Sequence, residues 1–253
     1  MQRIMDRMMG ELLMSRIAVV TGASRGIGEA IATRLTEDGW RVFNLDKVAP
    51  VNADAPATWI ETDLVDPAAI AAAFEMISAE GPVLGLVNNA GLGVMTNLED
   101  TTIEDFDLTV DVNMKAPMLC AQAALPDMKE ARFGRIVNIA SRAMLGKTER
   151  TAYAGTKGAI ATMTKVWALE LAQFGITVNG VAPGPIATEL FKNANPPDHP
   201  RTQEIIGTIP VGRLGEPTDI ANGVGFFMDE RTDFVSGQVL LICGGVSLAR
   251  GGS

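Results

Sequence analysis

The sequence predicts an α/β fold, doubly wound, with a mostly parallel central sheet of about seven strands and helices on both faces. Three observations carry that expectation. Short apolar runs rich in Val and Ile alternate with Ala-rich helical stretches from Arg16 almost to the end of the 253-residue chain. The runs show little polar alternation, as parallel strands covered on both faces should. No linker or internal repeat interrupts the alternation, so residues 15–253 read as a single domain of repeated βα units.

The elements follow in order. Residues 1–14, MQRIMDRMMGELLM, set Arg3, Asp6, Arg7 and Glu11 among methionines and lack a signal-peptide core, so they read as a frayed N-terminal extension. Buried strands are expected at Arg16–Thr21, Arg41–Leu45, Leu84–Asn88, Arg135–Ala140, Thr177–Ala182 and Gln238–Ile242. Between them, helical patterns cover Ile27–Asp38, Ala68–Ala79, Thr102–Glu130, Thr151–Phe174 and Thr218–Asp229. The stretch Glu189–Arg213 breaks the pattern with Pro196, Pro197, Pro200 and Pro210, and reads as a long excursion that covers a site.

Composition excludes several chemistries. The chain holds one histidine, His199, and two cysteines, too few for a multi-histidine metal centre or a zinc finger. No metal is expected. A single tyrosine, Tyr153, must carry any phenol chemistry. The net charge of −9, with no basic run, argues against nucleic acid or an anionic membrane surface as partner. Apolar stretches are too short or too interrupted to span a bilayer. Cys120 and Cys243 fall far apart, in a helical and a strand segment, and read as buried free thiols of a cytoplasmic protein.

The first strand runs into Thr21-Gly22-Ala23-Ser24-Arg25-Gly26-Ile27-Gly28, and a helix follows. Glycines there permit a tight turn and backbone approach to a pyrophosphate, while the helix N-terminus offers free N–H groups to the anion. About twenty residues on, the second strand ends at Asp46, whose carboxylate can accept from an adenosine ribose and would repel a 2′-phosphate. That favours NAD over NADP; Arg25, inside the loop, pulls the other way because it can pair with a 2′-phosphate. Tyr153 and Lys157 lie four apart on one helix face. A phenol is too weak an acid to serve as a base near neutrality, and a neighbouring ammonium lowers its pKa.

With these residues in hand, the chain resembles the short-chain dehydrogenase/reductases, in their compact single-domain branch with a Rossmann fold. The resemblance rests on TGASRGIG (21–28), NNAG (88–91), Ser141 followed by Tyr153-Ala-Gly-Thr-Lys157, and PGPIAT (183–188). It implies a catalytic set of Asn113, Ser141, Tyr153 and Lys157: Tyr153 the general acid/base, Lys157 lowering its pKa and holding the nicotinamide ribose, Ser141 bonding the substrate oxygen. Asn113 would hold a relay water, and Pro117, which has no N–H to give the carbonyl four residues back, would free that carbonyl for it. The resemblance further implies that Gly22, Ser24, Arg25, Gly26, Ile27, Gly28, Asp46, Asp63, Leu64, Asn89, Ala90, Gly91, Pro183, Gly184, Ile186 and Thr188 line the cofactor, together with Tyr153 and Lys157.

The substrate pocket is expected to take walls from Met95, Met144 and Leu145, with Arg142, Lys147 and Arg150 as a basic rim able to recognise an anionic group. The activity so implied is interconversion of a secondary alcohol and a ketone with NAD(H), by a homodimer or homotetramer joined through Thr102–Glu130, Thr151–Phe174 and the C-terminal strand. An NADPH-dependent 3-oxoacyl-thioester reductase is the nearest alternative, and a non-catalytic dinucleotide-binding scaffold a further one.

Overall fold

Most of the strands come from the Val- and Ile-rich runs and are buried on both sides, while the two edge strands are half-exposed. In the computed structural model, which describes residues 16–196 and 199–248, the strands are β1 (Ile17–Thr21), β2 (Arg41–Asp46), β3 (Thr58–Glu61), β4 (Val83–Asn88), β5 (Gly134–Ile139), β6 (Ile176–Pro183) and β7 (Val239–Ile242). All pair in parallel in one sheet, in the order β3-β2-β1-β4-β5-β6-β7. The expected N-terminal extension and Pro197 of the excursion lie outside the described residues.

Helices cover both faces: α1 (Gly26–Glu37), α2 (Pro67–Ser78), α3 (Ile103–Val110), α4 (Ala116–Ala131), α5 (Thr151–Leu171), α6 (Glu189–Ala194), α7 (Pro200–Gly207) and α8 (Pro217–Met228). Side chains alternate across a strand, and β1 shows the consequence. Ile17 and Val19 join Phe43 and Leu45 under Ile70, Phe74 and Ile77 of α2 and Cys120, Ala124 and Met128 of α4. Ala18 and Val20 join Val42, Leu84 and Val87 under Ile31 and Leu35 of α1 and Ile220, Val224 and Phe227 of α8. Each such Leu, Ile or Phe contributes about 1.5–3 kcal/mol of burial. Local signals start the helices: Asp66 accepts from Ala68 N ahead of Pro67, and Glu216 with Asp219 forms a capping box around Pro217.

Three elements depart from the expectation. The strand β3 has no counterpart among the expected runs. It is a four-residue edge strand with two exposed and two half-buried positions, held on one side only through the register Phe43↔Thr58 to Asp46↔Glu61. The long helix expected over Thr102–Glu130 is split by a π-turn at Asp111–Lys115. There Ala116 N donates to Asp111 O, five residues back, and Pro117 has no N–H. The carbonyl of Val112 thus loses both helical donors, the one four residues on to Asp111 and the one five on to proline. Finally, the excursion Glu189–Arg213 contains the two helices α6 and α7. His199 caps α7, its Nδ1 accepting from Arg201 N at 3.2 Å, so the lone histidine is a structural acceptor.

Strands β1, β2, β4, β5 and β6 end along one edge of the sheet. The chain reverses its direction of winding between β1 and β4, and crevices at such switch points are where α/β sheets bind ligands.

Candidate active site

At the end of β1 the chain must turn sharply into α1, and the glycines make that possible. Gly26 takes φ +62°, which L side chains adopt only with strain. A Cβ on Gly28 would stand 2.1 Å from the carbonyl oxygen of Gly22. Arg25 occupies the N-cap position of α1 without a capping side-chain bond, which leaves first-turn N–H groups for a ligand. A backbone cradle that no side chain caps and no Cβ could enter fits a pyrophosphate.

The rest of the loop is framework. Ser24 is fully buried: its hydroxyl donates to Val48 O (2.6 Å) and accepts from Asn44 Nδ2 (2.9 Å). Asn89 Nδ2 donates to the carbonyls of Thr21 and Gly22, and Thr21 Oγ1 accepts from the N–H of Asn89 and of Ala90. Ser24 and Asn89 therefore hold the cradle's shape with the groups expected to meet the cofactor.

Asp46 sits at the end of β2, with Oδ2 accepting from Ser24 N and Oδ1 from Val48 N, both at 3.2 Å. Both bonds anchor the carboxylate beside the glycine loop. Lys47 pairs instead with Asp63 at 2.7 Å, and this contact raises the lysine's pKa and lowers the carboxylate's. Leu64 packs partly buried against the core. Arg25 is exposed and stands with Gly26, Glu29, Thr188 and Lys192 around a groove of about 480 Å³. The Cγ2 of Thr188 would lie 3.6 Å from a Cβ on Gly26, so the start of α6 meets the glycine loop. Behind it, Gly184 N donates to Ile242 O, and Ile186 bridges to Gly215. The residues assigned to the cofactor thus come from five separate strand ends, after β1, β2, β3, β4 and β6, and line one edge.

The proton-transfer group lies beside them. Ser141 follows β5 and accepts from Ala143 N at 3.1 Å, starting a short 3₁₀ turn over Arg142–Leu145. Its side chain lies close enough to Tyr153 to lower the phenol's pKa. Tyr153 and Lys157 share one face of α5. Lys157 is 4% exposed, its Nζ donating to Ile139 O at 2.7 Å and standing 5.8 Å from the centre of the Tyr153 ring. Burial pulls the ammonium down to about 8. Burial pushes Tyr153 up, and the nearby Ser141 side chain and the charge of Arg150 draw it back. The lowering that the sequence assigned to Lys157 comes here from Ser141 and Arg150.

Asn113 is 1% exposed, and every polar atom of its side chain is engaged. Oδ1 accepts from Leu92 N (2.9 Å), while Nδ2 donates to Leu92 O (2.9 Å) and Thr156 Oγ1 (3.0 Å). The side chain is a clamp with no polar atom left for chemistry. The clamp presses Gly91 and Gly93 onto the site: a Cβ on Gly91 would be 3.2 Å from Lys157 Nζ, and one on Gly93 3.3 Å from the Tyr153 ring. Leu92, Gly93, Thr156 and Ile139 went unread in the sequence. Two act through their backbone, which carries no residue-type signal; Thr156, beside Lys157, is the one that spacing could have offered.

On the substrate side the expected apolar wall is only partly formed. Met144 packs toward Ala140, Ile160 and Ala182, whereas Met95 and Leu145 are exposed, since they project from segments without regular packing. Arg142 and Arg150 are half-buried and Lys147 exposed. Both cysteines are free and buried, and burial raises Cys120 to about 12. Among the described residues no helix is long and apolar enough to cross a membrane, and no cluster of three metal-binding side chains occurs.

Comparison with known proteins gives consistent matches. A family model described as enoyl-(acyl carrier protein) reductase covers residues 22–247. The chain is 39% identical over 249 residues to (2S)-[(R)-hydroxy(phenyl)methyl]succinyl-CoA dehydrogenase subunit BbsD of Thauera aromatica, covering 94% of this chain and 99% of that one. It is 35% identical over 246 residues to a 3-oxoacyl-[acyl-carrier-protein] reductase FabG of Staphylococcus epidermidis, with 92% and 99% covered. The ligand-free structure of Thermoplasma acidophilum aldohexose dehydrogenase superposes with a TM-score of 0.88 at 31% identity, over 95% of this chain and 97% of that one.

Proposed function

The chain belongs to the short-chain dehydrogenase/reductase family, and from that premise we propose that it interconverts a secondary alcohol and a ketone with NAD(H), using Tyr153 as general acid/base. As a member of that family it is an oxidoreductase acting on CH–OH groups. The observation that carries the finer reading is buried Lys157, its Nζ held on Ile139 O at 2.7 Å and 5.8 Å from the centre of the Tyr153 ring, beside Ser141 at the end of β5. A bound nicotinamide dinucleotide supplies the hydride acceptor or donor. In oxidation, the Tyr153 phenolate takes the hydroxyl proton of the substrate; in reduction, its hydroxyl gives the proton back. Ser141 holds the reacting oxygen, and Lys157, donating to Ile139 O, presents its remaining N–H groups toward the site. The Asn113 carbonyl, together with Lys157, offers acceptor and donor for the water that returns the proton to solvent.

Asp46 supports NAD as cofactor, because a carboxylate fixed beside the loop disfavours a 2′-phosphate. A second reading, reduction of a 3-oxoacyl thioester with NADPH, draws on exposed Arg25 and on the name of the staphylococcal relative. Comparing kcat/KM with NADH and NADPH separates them: NADH is expected to win, and a large NADPH preference overturns the role of Asp46. Exposed Ile103 and Phe106 on α3, Met118 on α4 and Leu169 on α5 support a homo-oligomer through those helices. The free thiols support a cytoplasmic protein. A small alcohol or ketone is the partner. Tyr153→Phe leaves a protein without any tyrosine. It is expected to bind NADH, followed by quenching or transfer fluorescence, yet to lose about 10²–10⁴-fold in kcat. Retained turnover refutes the mechanism, because no second phenol exists.

A further inference from the structure

Asn44 is the one polar residue between Arg41 and Asp46 of β2, set among Val42, Phe43 and Leu45 and almost fully buried. In the sheet it stands between Val20 of β1 and Trp59 of β3. A valine would continue such a strand equally well. Both ends of the Asn44 amide are engaged with the glycine loop instead. Oδ1 accepts from Ala23 N at 2.8 Å, and Nδ2 donates to Ser24 Oγ at 2.9 Å.

The bonds continue from Ser24 to Asp46. With its oxygen accepting from Asn44, the Ser24 hydroxyl has its one proton on Val48 O at 2.6 Å. The Ser24 N–H is held by Asp46 Oδ2 and the Val48 N–H by Asp46 Oδ1, both at 3.2 Å. Val51 N closes the same knot by donating to Ser24 O at 3.0 Å. Asp46 is also fixed at its main chain, where Trp59 Nε1 (3.0 Å) and Thr62 N (3.1 Å) both donate to its carbonyl. The adjacent cation, Lys47, is paired with Asp63.

These bonds bear on the choice of dinucleotide. Each Asp46 oxygen accepts one N–H and keeps a lone pair for a ribose hydroxyl. A phosphate in place of that hydroxyl brings strong acceptor oxygens and needs donors. Three donors lie at this junction, the Ser24 N–H, the Ser24 hydroxyl and the Val48 N–H, and each already has an acceptor. The charge of Asp46 repels the phosphate, and the engaged donors deny it a partner.

We propose that Asn44 is a positioning residue for cofactor selectivity: by fixing the Ser24 hydroxyl on Val48 O, it withholds a donor that a 2′-phosphate would use, and so reinforces the preference for NAD(H). This deepens the proposed function and rests on its NAD(H) reading. Asn44 acts through Ser24, not by contact with the cofactor.

The test measures dissociation constants of NADH and NADPH on the full-length protein by quenching of tryptophan fluorescence, beside kcat/KM with each. In Asn44→Val the Ser24 hydroxyl loses its donor and is free to turn. The preference for NADH over NADPH should then fall about five- to tenfold, the net strength of about one hydrogen bond. A merely structural loss weakens both cofactors alike and leaves their ratio where it was. In Asn44→Val/Ser24→Ala the hydroxyl is gone, and the preference should return to within about twofold of that of Ser24→Ala. Asn44→Thr, a strand former that also lacks the amide, gives the same shift should the valine variant not fold. An unchanged ratio in the Asn44 variants, or a shift that survives Ser24→Ala, overturns the inference and leaves the NAD(H) reading standing. A wild-type protein that binds NADPH as tightly as NADH overturns that reading and the inference with it, and this measurement needs no variant.

Discussion

The buried ammonium of Lys157 makes the stability of the free protein depend on pH in an unusual direction. Its pKa is about 8 in the fold against an ordinary 10.5. Below pH 8 both folded and unfolded chains carry the proton, and the fold bears the full cost of burying the charge. Between 8 and 10.5 the unfolded chain binds the proton and the folded chain does not, so stability rises with pH. The separation of about 2.5 pKa units corresponds to about 3 kcal/mol in all, with roughly 1 kcal/mol recovered by pH 9 and roughly 2–3 by pH 10.

Other groups act in the same range. Cys120, raised from 9.0 to about 12, stays protonated in the fold while the unfolded thiol ionises, so stability falls with pH above 9. Tyr153, raised above 10.0, does the same above pH 10. Lys157→Met isolates the lysine, because methionine fills a similar volume without charge. Urea unfolding of both proteins without cofactor, at pH 7, 8, 9 and 10, reads the difference in ΔG. The variant should gain on the wild type at pH 7, and that gain should shrink by about 2–3 kcal/mol by pH 10. A difference that stays flat, or one that grows with pH, refutes the desolvated-ammonium account of this site.

Two substitutions test the framework around the same atoms. Asn113→Ala removes three side-chain hydrogen bonds to Leu92 and Thr156, and should lower unfolding stability by about 2 kcal/mol and kcat together, as the 91–93 segment is released. Unchanged urea midpoints would show that the clamp carries no strain or support. Gly93→Ala sets a methyl 3.3 Å from the Tyr153 ring, so the ring must give way: kcat should fall about tenfold or more while the melting temperature barely moves, and an unaffected kcat shows that the ring has room to spare.

The sheet was legible because its physics is written in residue types. Strands buried on both faces need mostly apolar runs without regular polar alternation, and β1, β4, β5 and β6, buried along their whole length, have them. The strand β3 was not legible: one sheet neighbour and half-exposed side chains leave TWIE with too little pattern to stand out. The break at Asp111–Lys115 shows a subtler loss. Pro117 announces a missing hydrogen bond, but whether the helix answers with a kink or with a wider turn is decided by packing around Asn113, which clamps Leu92 from a different segment.

The site divides in the same way. Gly26, Gly28, Asp46, Ser141, Tyr153 and Lys157 could be named because each supplies a property no other residue type gives in that place: positive φ, the absence of a Cβ, a charge, a hydroxyl, a phenol. What tunes them could not be named, because it arrives through space. The acidity of Tyr153 is set first by burial, which raises its pKa, then by Ser141 at the end of β5 and by Arg150, from a turn where Glu149 is left-handed, which draw it back. Lys157, four residues away on the same helix face, is the neighbour the sequence pointed to, yet its burial against Ile139 O weakens the very charge that was to do the lowering. Helical spacing establishes that two side chains meet. It does not establish how much water either retains, and for a buried lysine beside a phenol that is the quantity that decides which way the proton moves.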